Sequence, residues 1–150
     1  VADLHERAGQ VWSRLRKHAE AARAYEAAVA LAPGDALLRV QLGETYRDAG
    51  RASDAVRLLR EAVSLDAGPA SYWNSLGMAL GAGGQMAEAE KAFRQAWQRD
   101  GTNPEYAYNL GLALMRLGRA SEAAGLFRQA LALDQRFGAA KLRLAELEGR

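Results

Sequence analysis

Gly9, Gly43, Gly77 and Gly111 stand 34 residues apart with no insertion between them. The same interval relates Ala21, Ala55, Ala89 and Ala123, then Ala28, Ala62, Ala96 and Ala130, and also the bulky Tyr25, Leu59, Phe93 and Phe127. Small and large residues recurring together at this spacing describe an array of one supersecondary unit, each copy burying its apolar face on the next. Counting from the glycines gives units 2–35, 36–69, 70–103 and 104–137, with a remainder 138–150.

Each unit reads as two helices. In the third, Tyr72, Trp73, Leu76, Gly77 and Leu80 follow the three-and-four spacing of an amphipathic helix; Gly83-Gly84 interrupts it, and Ala89, Phe93, Ala96 and Trp97 resume it. Gly50, Gly84 and Gly118 fall where a left-handed glycine ends a helix by satisfying its last carbonyls. The first unit has Arg16 at that place, which predicts a less regular hairpin connection. Between units, Pro33-Gly34-Asp35, Gly68-Pro69 and Asn103-Pro104 supply stop and start signals, with Asp35 and Asn103 as caps and Pro104 in a first turn. A glycine inside a helix costs about 1 kcal/mol relative to alanine. Four on one phase therefore imply close helix approach, with the Tyr25 series filling the space beside it. The remainder carries Ala140, Leu144, Ala145 and Leu147 on its packing face, with Lys141, Arg143, Glu146 and Glu148 elsewhere, and so reads as a capping helix.

Composition narrows the function classes. The absence of cysteine excludes disulfides, thiolate metal sites and a cysteine nucleophile. No run of about 18 apolar residues exists, so no membrane insertion is expected. The net charge is +2, but arginines and acids interleave through every unit without a basic stripe, so nucleic acid is not an expected partner. His5 and His18 have no partner at a metal or relay spacing, and Gly81-Ala82-Gly83-Gly84 lacks the lysine and preceding strand of a phosphate cradle. No catalytic residue, metal or cofactor is therefore expected. Alanine and arginine richness, with Lys17, Lys91 and Lys141 the only lysines, matches bacterial GC-rich coding. A cytoplasmic location is expected, with the periplasm open if a leader precedes Val1.

The pattern Trp73-x2-Leu76-Gly77 followed by Ala89-x3-Phe93 and Ala96, with Leu42-Gly43-x2-Tyr46 and Ala28 to Pro33 elsewhere, resembles the tetratricopeptide repeat. His5, Arg39 and Ala107 stand in place of its usual tryptophan, and Leu80 and Leu114 in place of its tyrosine. The resemblance implies an all-α fold, a right-handed superhelical solenoid of antiparallel helix pairs whose first helices line a concave groove. It also implies a protein or peptide partner. Alternatives are a structural spacer or self-assembly module, as a monomer or weak homo-oligomer, and an accessory domain of an enzyme. Family members that bind chaperone C-termini use lysines and asparagines where this chain has Glu6, Gln10, Val40, Glu44, Met78 and Ala139, so that activity is not expected.

Helical phase sorts the groove residues, because positions near each periodic glycine at one-turn spacing share a face. One column reads Arg7, Gln41, Ser75, Asn109, Arg143, polar throughout, and amides in it could bond a peptide backbone. Units three and four add Met78, Tyr108, Leu112 and Met115, where Gly81 and Ala82 leave room. The expected peptide site is Asn74, Met78, Tyr108, Asn109, Leu112, Met115 and Arg143. Trp12, Trp73, Trp97, Tyr25, Tyr46, Phe93 and Phe127 fall in packing registers, leaving Tyr108 as the aromatic without a packing role.

Overall fold

The computed structural model describes residues 1–149; Arg150, the last residue of the expected capping segment, lies outside the described residues. These residues form nine helices and no strand: α1 (Ala2–Arg14), α2 (His18–Leu31), α3 (Ala36–Asp48), α4 (Ala52–Leu65), α5 (Ala70–Ala82), α6 (Met86–Arg99), α7 (Pro104–Arg116), α8 (Ala120–Leu133) and α9 (Gly138–Glu148). Helices α1, α3, α5 and α7 each pack most extensively on the even-numbered helix that follows, which packs in turn on the next odd-numbered one, so that α9 packs on α8. One continuous core runs through the stack.

The periodic glycines have a direct packing cause. A Cβ added at Gly77 would lie 2.6 Å from the Phe93 ring, and at Gly111 2.7 Å from the Phe127 ring. The bulky residue of each second helix therefore sits on the glycine of its own first helix, rather than beside the crossing. Ala21, Ala55, Ala89 and Ala123, with Ala28, Ala62, Ala96 and Ala130, are wholly buried on the same second helices.

The hairpin turns repeat in every unit. Gly50, Gly84 and Gly118 take φ of 80°, 79° and 78°, and Arg16 takes 56°. Lys17 N–H donates to Trp12 O at 2.9 Å, as Arg51 N–H does to Tyr46 O at 2.7 Å and Gln85 N–H to Leu80 O at 2.9 Å. This six-to-one bond closes the helix in each case. The first connection is thus as regular as the others, because arginine accepts the left-handed conformation instead of changing the turn; that costs about 1–2 kcal/mol.

Caps follow the expected residues. Asp35 accepts from Leu38 N–H at 3.1 Å, Asn103 accepts from Glu105 N–H at 2.9 Å, and Pro104 opens α7. Tyr46, buried in α3, donates to Glu26 of α2 at 2.5 Å. Burial and this bond push its phenol pKa up to about 12.

Candidate functional site

A cavity of about 290 Å³ opens between α3, α5, α6 and α7, lined by Met78, Gly81, Met86, Leu112 and Phe93, with Arg47, Asn109 and Arg116 also in its wall. Its origin is a local loss of side chains. Gly81 and Ala82 stand where the preceding unit carries Arg47 and Asp48, an ion pair with N···O 3.0 Å. A Cβ at Gly81 would approach nothing nearer than the Met86 Cε, at 3.7 Å. Helix α5 thus holds one glycine filled by a ring and, one turn later, one that opens onto space.

The expected site residues separate into two groups. Met78, Asn109 and Leu112 line the cavity, and Asn74 borders it by accepting from Asn109 Nδ2 at 2.9 Å. Met78 is 40 % exposed, with Arg47 Nη1 3.4 Å and Asn74 Nδ2 3.6 Å from its sulfur. Arg116 has no acidic partner among the described residues. Tyr108, Met115 and Arg143 do not line the cavity.

Tyr108 does have a packing role. Its ring lies 5.0 Å from that of Phe137 and 5.7 Å from that of Phe127, because the segment between α8 and α9 brings Phe137 back over α7. Met115 packs on the same core. Arg143 donates to Glu146 at 2.9 Å, and this bond, with a smaller contribution from the nearby Tyr108 hydroxyl, raises its pKa above the ordinary arginine value.

The polar column is an internal ladder. Gln41 donates to Glu6 at 3.2 Å, Ser75 to Glu44 at 2.6 Å and Asn109 to Asn74 at 2.9 Å, each one first helix back along the stack. These bonds satisfy polar groups in an otherwise apolar interface, except Gln41 Oε1, which is buried without a hydrogen-bond partner among the described residues. Only part of each amide's capacity is left for a ligand; Asn109 Oδ1 is one such acceptor.

Arg47 and Met86 were absent from the expected set. Arg47 reads in sequence as a solvated charge and Met86 lies on a second helix, so neither falls in the first-helix columns of the third and fourth units.

A larger depression of about 750 Å³ runs along α4, lined by Arg39, Val56, Arg57, Arg60, Glu61 and neighbours. Its arginines are paired: Arg39 and Arg57 with Glu61, and Arg60 with Glu88. A similar cleft one unit on contains Trp73, Lys91 and Arg94 at the places of Arg39, Arg57 and Arg60. It is the ordinary gap between successive units. Among the described residues no three potential metal ligands gather, and no helix is long and apolar enough to cross a membrane.

Models of the family described as Tetratricopeptide repeat match residues 14–78, 74–136 and 108–148. The chain belongs to the tetratricopeptide repeat family. Solved tetratricopeptide structures share its fold. The crystal structure of MamA aligns with TM-score 0.88 at 23 % identity, covering 99 % of this chain and 82 % of that one. PilF of Pseudomonas aeruginosa gives 0.87 at 22 % identity, over 97 % and 67 %. YrrB, described as a tetratricopeptide protein with an unusual peptide-binding site, gives 0.84 at 21 % identity, over 95 % and 73 %. No curated protein sequence matches the chain. The fold is thus the right-handed α-solenoid of tetratricopeptide proteins, a protein-interaction scaffold.

Proposed function

We propose that this scaffold, one domain built of units 2–35, 36–69, 70–103 and 104–137 with the 138–150 segment, is non-catalytic and captures a peptide or protein segment on its concave face. The observation that carries the reading is the cavity at Met78, Gly81, Met86 and Leu112, large enough for one bulky apolar side chain. Two thioethers make its wall adaptable to side chains of different shape. Arg116, with no acidic partner among the described residues, would meet a carboxylate beside the anchor, and Asn109 Oδ1 would accept from a peptide N–H. A single well-buried anchor accounts for much of the affinity of such contacts. The peptide-binding description of YrrB, a protein of the same fold, agrees with this reading. A self-assembling spacer is the second reading, favoured by the exposed apolar face of α1.

The test is selection of binders from a random peptide library, followed by affinity measurement against Met78→Glu. That change installs the residue the second unit carries at this register, Glu44. Selected peptides should carry a bulky apolar residue and lose about tenfold or more in affinity, roughly 1.4 kcal/mol. Equal binding to the variant, with folding unchanged, would remove the site.

A further inference from the structure

The chain has three methionines, Met78, Met86 and Met115, and their sulfurs have different surroundings. Met86 and Met115 are half-buried and packed on the core, whereas Met78 is exposed at the cavity wall. Its sulfur meets two N–H donors, Arg47 Nη1 at 3.4 Å from α3 and Asn74 Nδ2 at 3.6 Å from one turn back on α5. Both hydrogen bonds to sulfur among the described residues end on Met78.

Each donor is fixed by its other atoms. Arg47 Nε and Nη2 donate to Asp48 at 3.1 and 3.0 Å, which leaves Nη1 for residue 78. Asn74 Oδ1 accepts from Asn109 at 2.9 Å, which turns Nδ2 toward residue 78. A thioether is a weak acceptor, so a guanidinium and an amide held against one are poorly matched to it. A sulfoxide oxygen, with its partial negative charge, is the strong acceptor that such a pair suits. The register accommodates an oxygen too. One unit back the same place holds Glu44, which accepts from Ser75 at 2.6 Å.

We propose that Met78 is a reversible oxidation site, its oxidant a peroxide and its product a sulfoxide held by Arg47 and Asn74. A sulfur lone pair attacks one oxygen of hydrogen peroxide; the S–O bond forms and the O–O bond breaks. The departing hydroxide takes the proton of the transferred oxygen and leaves as water. Sulfur loses two electrons and the peroxide gains them. Methionine sulfoxide reductases reverse the change. Oxidation converts an apolar part of the cavity wall into a polar one and occupies two of the donors beside it, so it releases an apolar anchor. That consequence rests on the cavity being the peptide site; the modification itself does not.

The test is limiting hydrogen peroxide added to the intact folded chain, followed by peptide mapping by mass spectrometry. Met78 should be oxidised before Met86 and Met115; equal or earlier reaction at either of them overturns the site. Selectivity alone would follow from exposure, so the role of the donors has its own readout. Arg47→Leu should lower the melting temperature of the chain oxidised at Met78 by about 2–4 °C more than that of the reduced chain, and Asn74→Ala should act in the same direction. Equal shifts in the two oxidation states would show that neither residue holds the oxygen. Peptides selected against the reduced chain should bind the oxidised chain about tenfold or more weakly. If they discriminate against Met78→Glu but not against the sulfoxide, regulation by oxidation is wrong and the peptide site stands. If they ignore Met78→Glu as well, the peptide site is wrong, and the control of binding falls with it.

Discussion

The concave surface of this solenoid has two halves that share a backbone repeat and differ in what the side chains do. In the first two units the groove is occupied by its own polar groups. Gln10 and Gln41 both donate to Glu6, Glu44 accepts from Ser75, and Arg47 pairs with Asp48. In the third unit the registers of Glu44, Arg47 and Asp48 carry Met78, Gly81 and Ala82, and a cavity appears. A cavity can thus be made on a repeat scaffold by subtracting side chains at one register, without any change in the helices.

The two glycines of α5 give the strongest contrast. Gly77→Ala puts a Cβ 2.6 Å from the rigid Phe93 ring and should destabilise by about 1–3 kcal/mol. Gly81→Ala, whose Cβ would make only an ordinary 3.7 Å contact with the Met86 Cε, should instead stabilise by about 0.5–1 kcal/mol through helix propensity. Chemical denaturation of both variants checks the pair; similar losses at the two positions would mean that Gly81 is also a packing glycine.

Alkali should separate the halves next. Tyr46 has a folded pKa raised to about 12, while the unfolded phenol titrates near 10, so the folded state holds its proton more tightly. The associated stability is complete below pH 10 and is lost as pH rises toward 12, on the order of 2 kcal/mol. The third unit carries Leu80 at this register and has no such dependence there. Tyr46→Phe should flatten the decline of stability between pH 10 and 12. An unchanged profile in that variant assigns the alkaline loss to other groups, such as Tyr25, Tyr72 and Tyr106, whose pKa values burial also raises.

The smallest expected effect is at the turns. Arg16→Gly relieves a left-handed arginine but frees the unfolded chain, for a net gain of up to about 1 kcal/mol. Gly50→Ala, at φ 80°, should lose a comparable amount. Thermal melts of the two variants should move in opposite directions.

These contrasts also show why the fold was more legible in the sequence than the site. The 34-residue interval recurs in several residue series at once, and hairpin pairing follows from it because each unit can bury its face only on its neighbours. Arg16 concealed a regular turn, since side-chain identity reports a preference and the six-to-one bond imposed the conformation. Helical phase put Met78, Asn109 and Leu112 on one face, but not the return of Phe137 that packs Tyr108 and takes it out of the cavity. Polarity at Asn74 and Asn109 was visible; their bond to each other depends on the spacing of two packed helices. Met86 and Arg47 enter the wall from a second helix and a preceding unit, at separations no single-helix face can encode.

The central claim is that the third and fourth units, and not the first two, hold the partner. It is tested most directly by backbone amide NMR spectra recorded while a library-selected peptide is added to the intact chain. Shifts concentrated at Met78, Gly81, Met86, Leu112 and Arg116 are the predicted result; shifts concentrated between Glu6 and Glu44, or along the outer face of α4, would contradict it.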